Sequence, residues 1–375
     1  MKGKILDIKL SQRVQSIKPS PTLAITARAA ALKAEGKDII GLGAGEPDFD
    51  TPDNIKNAAI DAINQGKTKY TAVDGTAELK QAVIDKLERD NGLSYQANQI
   101  LVSVGGKQSF FNLSQAMLDA GDEVIIPAPY WVYYPDMVLL ADAVPVIIEA
   151  GQDQHFKITP EQLEAAITPK TRVFVINSPS NPSGMAYSKA DIEALGEGLR
   201  KYPDVVIATN DMYEHILWKE EGFYNILMAC PDLYDRTLVL NGVSKAYSMT
   251  GWRIGYAGGP ADIINAMKKV QSQSTSNPTS ISQVAAEAAL NGDQGCITEM
   301  LGAFKERHDF VVAALNEISG VTCLAGDGTF YAFPDAREAI NKKAGIEDDL
   351  QLAEYLINEG GVAVVPGTAF GAPGY

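Results

Sequence analysis

Short apolar runs recur along the middle of this chain, and each ends in a turn of small or polar residues. Ile100-Leu101-Val102, Val124-Ile125-Ile126, Val173-Phe174-Val175-Ile176, Val205-Val206-Ile207-Ala208 and Thr237-Leu238-Val239-Leu240 lack the alternation of a strand with one wet face. Such continuous runs read as strands buried on both sides. From about residue 75 to residue 260 they alternate with helical stretches, a pattern that gives a mostly parallel sheet covered by helices on both faces. Outside that region, Ile25 to Glu35 is rich in helix formers and stops at Gly36. Pro52 to Gly66 reads as a helix with Thr51 as N-cap. Ile281 to Leu290 and Ile297 to Ile318 also read as helices. Gly328 to Phe333 and Val362 to Gly367 read as strands of a second, smaller unit. No internal repeat and no low-complexity tract interrupts this order.

The turns carry the chemistry, since ligands of open α/β sheets bind at the carboxyl ends of the strands. After Thr237–Leu240 comes Ser244-Lys245-Ala246-Tyr247-Ser248-Met249-Thr250-Gly251-Trp252-Arg253. A lysine near apolar walls loses its proton more easily than a free one, because burial disfavours the ammonium. The neutral amine is the form that attacks an aldehyde to give a Schiff base. Arg253 offers a guanidinium that can grip a phosphate through two parallel hydrogen bonds. Ser244 adds a hydroxyl donor. An aldehyde-binding amine beside phosphate donors describes a site for pyridoxal 5′-phosphate (PLP). A surface lysine beside a structural arginine stays open on these residues alone. Upstream, Ser103-Val104-Gly105-Gly106-Lys107 forms a strand–glycine–helix turn, whose free N–H groups favour an anion.

Composition narrows the reading. The 375 residues suffice for one large and one small domain. A formal net charge of −15 argues against nucleic acid and against anionic membranes as partners. Cys230, Cys296 and Cys323 lie far apart, which is neither a disulfide framework nor a metal pattern, and points to a reducing cytoplasm. No apolar leader opens the sequence, and no run is long enough to span a bilayer. His155, His215 and His308 read as structural or surface residues, because the chemistry proposed needs no histidine.

From about Val14 onward the chain resembles the class I, fold type I PLP-dependent aminotransferases, and within them the aspartate aminotransferase family. The resemblance rests on Gly41-Leu42-Gly43-Ala44-Gly45, Lys69-Tyr70, Gly105-Gly106-Lys107, Tyr130-Trp131, Asn177-Ser178-Pro179-Ser180-Asn181-Pro182, Asn210-Asp211-Met212-Tyr213 and Ser244-Lys245 through Arg253. It implies that Lys245 carries the coenzyme and moves the substrate Cα proton. It implies that Gly105, Gly106, Ser244 and Arg253 hold the phosphate and that Trp131 stacks on the pyridine. Asn181 and Tyr213 would then meet the phenolic oxygen, and position 210 the ring nitrogen. Gly45, Trp131 and Asn181 would contact substrate, and Lys107 would pair with the distal carboxylate of a dicarboxylic one. Tyr70 would reach the phosphate of a neighbouring subunit, giving a homodimer with shared sites. One of the X-Pro bonds after Asn177 would be cis. The domains expected are an arm over 1–20, a large PLP-binding domain over 51–290, and a small α+β domain from 21–50 and 291–375.

Two positions depart from the family pattern. Asn210 stands where an aspartate is expected against the ring nitrogen, and an amide cannot supply that negative charge. Asp211 is next door, but adjacent strand residues point to opposite faces. The family also continues past a Gly-Tyr pair like Gly374-Tyr375 into a strand bearing the arginine that clamps the substrate α-carboxylate. By that comparison the small domain is shortened at its C-terminus. The leading expectation is transfer of the amino group of aspartate to 2-oxoglutarate. A catalytically silent PLP-binding homologue and a PLP lyase acting at Cβ remain as alternatives.

Overall fold

The computed structural model describes residues 8–343 and 345–375. Of the expected arm, residues 1–7 lie outside the described residues. Among the described residues the nine strands are β1 Ile40–Gly41, β2 Ile100–Ser103, β3 Glu123–Ala128, β4 Val144–Glu149, β5 Thr171–Asn177, β6 Val206–Asn210, β7 Thr237–Gly242, β8 Gly255–Gly258 and β9 Val362–Ala363. Seven form one sheet in the order β2-β8-β7-β6-β5-β3-β4. Within this sheet β8 alone runs opposite to the other six strands. Strands β2, β7 and most of β5 and β6 are buried throughout, which is why their sequences run apolar without alternation. One large apolar cluster packs on one face of the sheet and a second on the other. β1 pairs with β9 in a separate parallel ribbon, beside a small cluster of Ala29, Leu32, Ile39, Ile357 and Ala363.

The register lines up the strand ends. Ser103 and Gly242 both lie opposite Gly255, and Asn177 lies opposite Asn210. The carboxyl ends of β2, β3, β5, β6 and β7 and the amino end of β8 therefore open on one edge of the sheet.

Two local expectations are corrected. Thr51 does not cap the following helix, which spans Asp53–Asn64 with Pro52 at its N-cap and no side-chain capping bond. The Thr51 hydroxyl instead donates to the Ser248 carbonyl at 2.7 Å and accepts from Trp252 Nε1 at 2.9 Å. That bond ties the segment to the lysine turn. Gly328–Phe333 is not a strand. Thr329 has φ +68°, so the backbone bends there. Gly328 N–H donates to the Gly184 carbonyl and Thr329 N–H to that of Ile216, each across to another loop. The Ser178-Pro179 and Asn181-Pro182 bonds are both cis, as is Ala128-Pro129. His308 Nε2 accepts from the Gly326 N–H at 2.9 Å and holds this loop from below.

Candidate active site

Lys245 sits on the turn after β7. Ser248 N–H donates to the Lys245 carbonyl and Met249 N–H to that of Ser244, which folds the turn tightly. The Lys245 ammonium donates to the Gly45 carbonyl. Its Nζ lies 5.7 Å from the Phe330 ring centroid and 6.0 Å from that of Tyr213. Burial against these rings pushes its pKa down to about 8; Glu46 opposes that shift, while Arg253 and Lys107 add to it. Glu46 is itself fixed by the Thr250 hydroxyl, 2.9 Å from Oε2. About a tenth of the amine is therefore neutral and nucleophilic at pH 7, far more than for an ordinary lysine.

The glycine turn after β2 meets Arg253 with no spare room. A Cβ on Gly105 would lie 2.2 Å from Arg253 Nη2, and Gly105 also has φ +84°. A Cβ on Gly255 would lie 2.2 Å from the Gly106 nitrogen. Only glycine lets these backbones and the guanidinium share the space. Arg253 Nη1 donates to the Thr250 carbonyl at 2.7 Å, which aims the fork and leaves donors for a ligand. Helix Gly106–Met117 starts at this turn; Gln108 and Ser109 N–H donate to the Gly105 carbonyl, and the Gly106 and Lys107 N–H groups have no partner among the described residues. Ser244, at the start of the lysine turn, is buried.

Across the cavity, Asn177 fixes the loop after β5, its Oδ1 accepting from the Asn181 N–H at 2.9 Å and its Nδ2 donating to the Asn210 carbonyl at 2.8 Å. Asn181 Nδ2 reaches the Tyr213 hydroxyl at 3.4 Å and the Tyr331 hydroxyl at 3.1 Å. The two tyrosine hydroxyls are 2.6 Å apart. One phenol donates to the other, which leaves one phenolic O–H for an acceptor oxygen, with Asn181 Nδ2 beside it. Tyr331 is a member of this group that the sequence reading missed. It was hidden inside a presumed strand, and its hydroxyl also limits position 45, where a Cβ would lie 2.8 Å away. The Phe330-Tyr331 pair after Gly328-Thr329 was the one signal available.

Asn210 ends β6. Its Nδ2 donates to the buried Tyr134 hydroxyl at 2.6 Å, and its Oδ1 accepts from the Met212 N–H at 3.3 Å. Asp211 points the other way, bonded to the Thr209 hydroxyl and to Asn225 Nδ2. Burial, and next the charge of Glu214, pushes the Asp211 carboxyl up to about 7. Lys107 and Trp131 flank the mouth, with the Lys107 Nζ 5.9 Å from the Trp131 ring centroid. Tyr70 is 92% exposed and stands apart from this cluster.

An amine of lowered pKa, a glycine and arginine cradle for an anion, and a donor pair for a phenolic oxygen fit PLP in three separate places. A family model described as aminotransferase class I and II matches residues 37–375. An aspartate/prephenate aminotransferase of Nitrosomonas europaea is 64% identical over 98% of this chain and 94% of its own length. An aspartate aminotransferase of Rhizobium meliloti is 51% identical over 97% of this chain and 90% of its own. Among solved structures, an aspartate aminotransferase from Rhizobium meliloti superposes with a TM-score of 0.93 at 51% identity, covering 97% of this chain and 92% of that one. One from Thermus thermophilus, solved with maleate, gives 0.91 at 43%, covering 98% and 94%.

The Lys245 titration is open to test. Glu46→Gln removes the charge that favours the ammonium, so the midpoint is expected to move further down. Borohydride trapping of an aldehyde on coenzyme-free protein across a pH series reads that midpoint. An unchanged or raised value would mean that Glu46 does not act on Lys245.

Proposed function

The chain belongs to the class I and II aminotransferases and is a PLP-dependent transferase, and we propose that it moves the amino group of aspartate to 2-oxoglutarate with the coenzyme held on Lys245. The observation that carries this reading is the Lys245 amine, brought down to about 8, beside the Arg253–Gly105 cradle. Support for aspartate comes from relatives at 51 to 64% identity that are named for it. Neither a silent homologue nor a β-lyase finds support among those names, and both alternatives are set aside.

Gly105, Gly106, Ser244 and Arg253 would hold the phosphate, Trp131 the ring face, Asn181 and Tyr213 the phenolic oxygen, and Asn210 the ring nitrogen. When bound, PLP supplies a conjugated ring that takes up the electron pair of the breaking Cα–H bond. Lys245 Nζ accepts the Cα proton as a base and returns it as an acid, a role suited to an amine near neutral pKa. Gly45 lines the substrate side, where its carbonyl already engages Lys245. Lys107 would meet the distal carboxylate. Aspartate and 2-oxoglutarate both carry one, so a single cation serves both halves of the reaction. The relatives named aspartate/prephenate aminotransferase favour prephenate as a second acceptor, since it too has two carboxylates.

We assign 51–290 to the coenzyme-binding unit and 21–50 with 291–375 to the smaller one, supported by the separate cluster around Leu32 and Ile357. The widely spaced free cysteines support a cytoplasmic setting.

Oxaloacetate formation from aspartate and 2-oxoglutarate tests the activity directly, and no turnover by protein that retains its yellow coenzyme would overturn it. Lys107→Ala is expected to raise KM for aspartate relative to alanine by an amount matching about 1.5–3 kcal/mol, the worth of a hydrogen bond to a charged group. Equal changes for both substrates would remove Lys107 from that role.

Asn210→Asp is near-isosteric and is expected to leave coenzyme affinity nearly unchanged while raising kcat by about 10²–10³, the usual worth of one preorganised charge. If that change does nothing while Asp211→Asn abolishes turnover, Asp211 is the ring partner.

A homodimer is proposed from the 92% exposure of Tyr70 and the exposed apolar side chains of Ile8, Leu10 and Val14. Hybrids of Lys245→Ala with Tyr70→Phe subunits are expected to regain one intact site, whereas a PLP-bearing monomer in sedimentation would refute the dimer.

A further inference from the structure

Between helices Asp53–Asn64 and Ala77–Asn91 the chain has no regular structure, yet residues 71–76 are held from outside at both ends and in the middle. Gln283, fully buried on helix Ser280–Asn291, accepts through Oε1 from the Thr76 N–H at 2.8 Å. Its Nε2 donates to the Thr71 hydroxyl at 3.0 Å and to the Pro278 carbonyl at 2.9 Å. Gln271, fully buried on helix Ala261–Ser272, donates through Nε2 to the Val73 carbonyl at 2.7 Å and to the Val102 carbonyl of β2 at 2.9 Å. Reversing either amide would set its oxygen against a carbonyl oxygen, so both orientations are fixed. Thr76 is the N-cap of helix Ala77–Asn91, and the Gln283 amide does for its N–H what a capping-box side chain does from within a helix.

Other contacts tighten the same segment. Asp74 pairs with Lys80 at 2.8 Å and with Lys268 at 3.1 Å, and its carbonyl accepts from the Val102 N–H at 3.0 Å. Gly75 has φ +102°, and a Cβ there would lie 2.6 Å from Val102 Cγ2, so the backbone lies directly on β2. Gln271 Oε1 accepts from Asn112 Nδ2 at 2.8 Å, and Asn112 Oδ1 from Gln108 Nε2 at 2.9 Å. This line of amides ties the segment to helix Gly106–Met117, which starts at the glycine turn. Immediately before the clamped segment stands the exposed Tyr70. A fixed backbone under an exposed ring presents that ring outward, and ordering the segment in advance spares the entropy of ordering it on contact.

We infer that Gln283 is a positioning residue for the coenzyme phosphate of the neighbouring subunit, with Gln271 as the second support: the two amides fix residues 71–76 and so set where Tyr70 is presented. This rests on the homodimer and on the reading of Tyr70 given above. Neither glutamine touches the phosphate. Gln283 acts through the segment on the other subunit's site, and none of its hydrogen bonds runs to the glycine turn of its own.

Hybrid dimers separate the two directions of action. The measurement is the dissociation constant of PLP, followed on dilution of the loaded hybrids by the yellow absorbance that arises only where Lys245 is present. In the first hybrid one subunit carries Lys245→Ala with Gln283→Met and the other is unchanged, so the single yellow site is served by the Tyr70 of the altered subunit. In the second, Lys245→Ala is in one subunit and Gln283→Met in the other, so the yellow site lies in the Gln283→Met subunit and is served by an unaltered segment. Tyr70→Phe in place of Gln283→Met in the first hybrid is the reference, expected to weaken PLP by about 10- to 150-fold, the worth of one hydrogen bond to a charged group. Gln283→Met is expected to weaken it in the first hybrid by up to that factor, to leave the second near the unaltered value, and to add nothing to Tyr70→Phe in the same subunit, because both changes break one unit. Gln271→Met is expected to shift the first hybrid in the same direction, and no shift would remove Gln271 from the role. If Tyr70→Phe has no effect, the reading of Tyr70 falls and the inference with it. If Tyr70→Phe weakens PLP while Gln283→Met leaves the first hybrid unchanged, or shifts both hybrids equally, the inference alone is overturned. If Gln283→Met subunits do not assemble, Thr71→Val, which removes one partner of Gln283 on the segment, decides by the same comparison of hybrids.

Discussion

One buried carboxylate ties together the elements that carry the site. Glu214 follows Tyr213 in the chain, and its oxygens accept from the Lys86 ammonium, from Asn91 Nδ2 at 2.7 Å and from Asn241 Nδ2 at 2.7 Å. Lys86 and Asn91 belong to helix Ala77–Asn91, and Asn241 belongs to β7 just before Ser244 and Lys245. Burial alone would raise the Glu214 carboxyl, but Lys86 and His215 hold it below the usual range, so it stays ionised. Such a pair contributes little net stability when whole, yet removing one partner costs about 3–5 kcal/mol because a bare charge is left inside. Its use here is geometric: the ends of β6 and β7 and one covering helix cannot shift independently. The same charge raises the Asp211 carboxyl nearby.

Close approach of backbones supplies the second constraint. Strand β8 runs against its neighbours and delivers Arg253 to the same edge as the carboxyl ends of β2 and β7. Gly105, Gly106, Gly242 and Gly255 allow that meeting, and a side chain on any of them would collide with backbone or with side-chain atoms. The cradle is assembled from three strands whose residues lie far apart in sequence.

The electrostatics of the site run opposite to those of the whole molecule. The chain carries a net charge of −15, yet Lys107, Lys245 and Arg253 converge: besides burial, Arg253 lowers the Lys107 pKa, and Arg253 and Lys107 lower that of Lys245, where Glu46 opposes them. Local positive charge draws dicarboxylates regardless of the net figure. Aromatic faces from Tyr133, Tyr213 and Phe330 stand where carboxylates would otherwise neutralise those cations.

Much of this was legible in the sequence. The strands of the central sheet announced themselves because a strand buried on both faces has to be apolar at every position. The Lys245–Arg253 stretch and the Gly105-Gly106 turn stood out because their chemistry lies in neighbouring residues. Thr51 and Gly328–Phe333 were misread for the opposite reason. Thr51 has the residue type of a cap but spends its hydroxyl on the Ser248 carbonyl, and the 328–333 segment finds hydrogen-bond partners in other loops. Tyr331 against Tyr213, and Gln271 and Gln283 against residues 71–76, are pairings across more than a hundred residues that no periodicity encodes. The sequence by itself determined which residues could react and which runs had to be buried, because composition and local spacing fix both. Only the tertiary structure decided which hydroxyl faces which ring and which carboxylate keeps its charge, because those depend on distances that the chain acquires when its strand ends are brought to one edge.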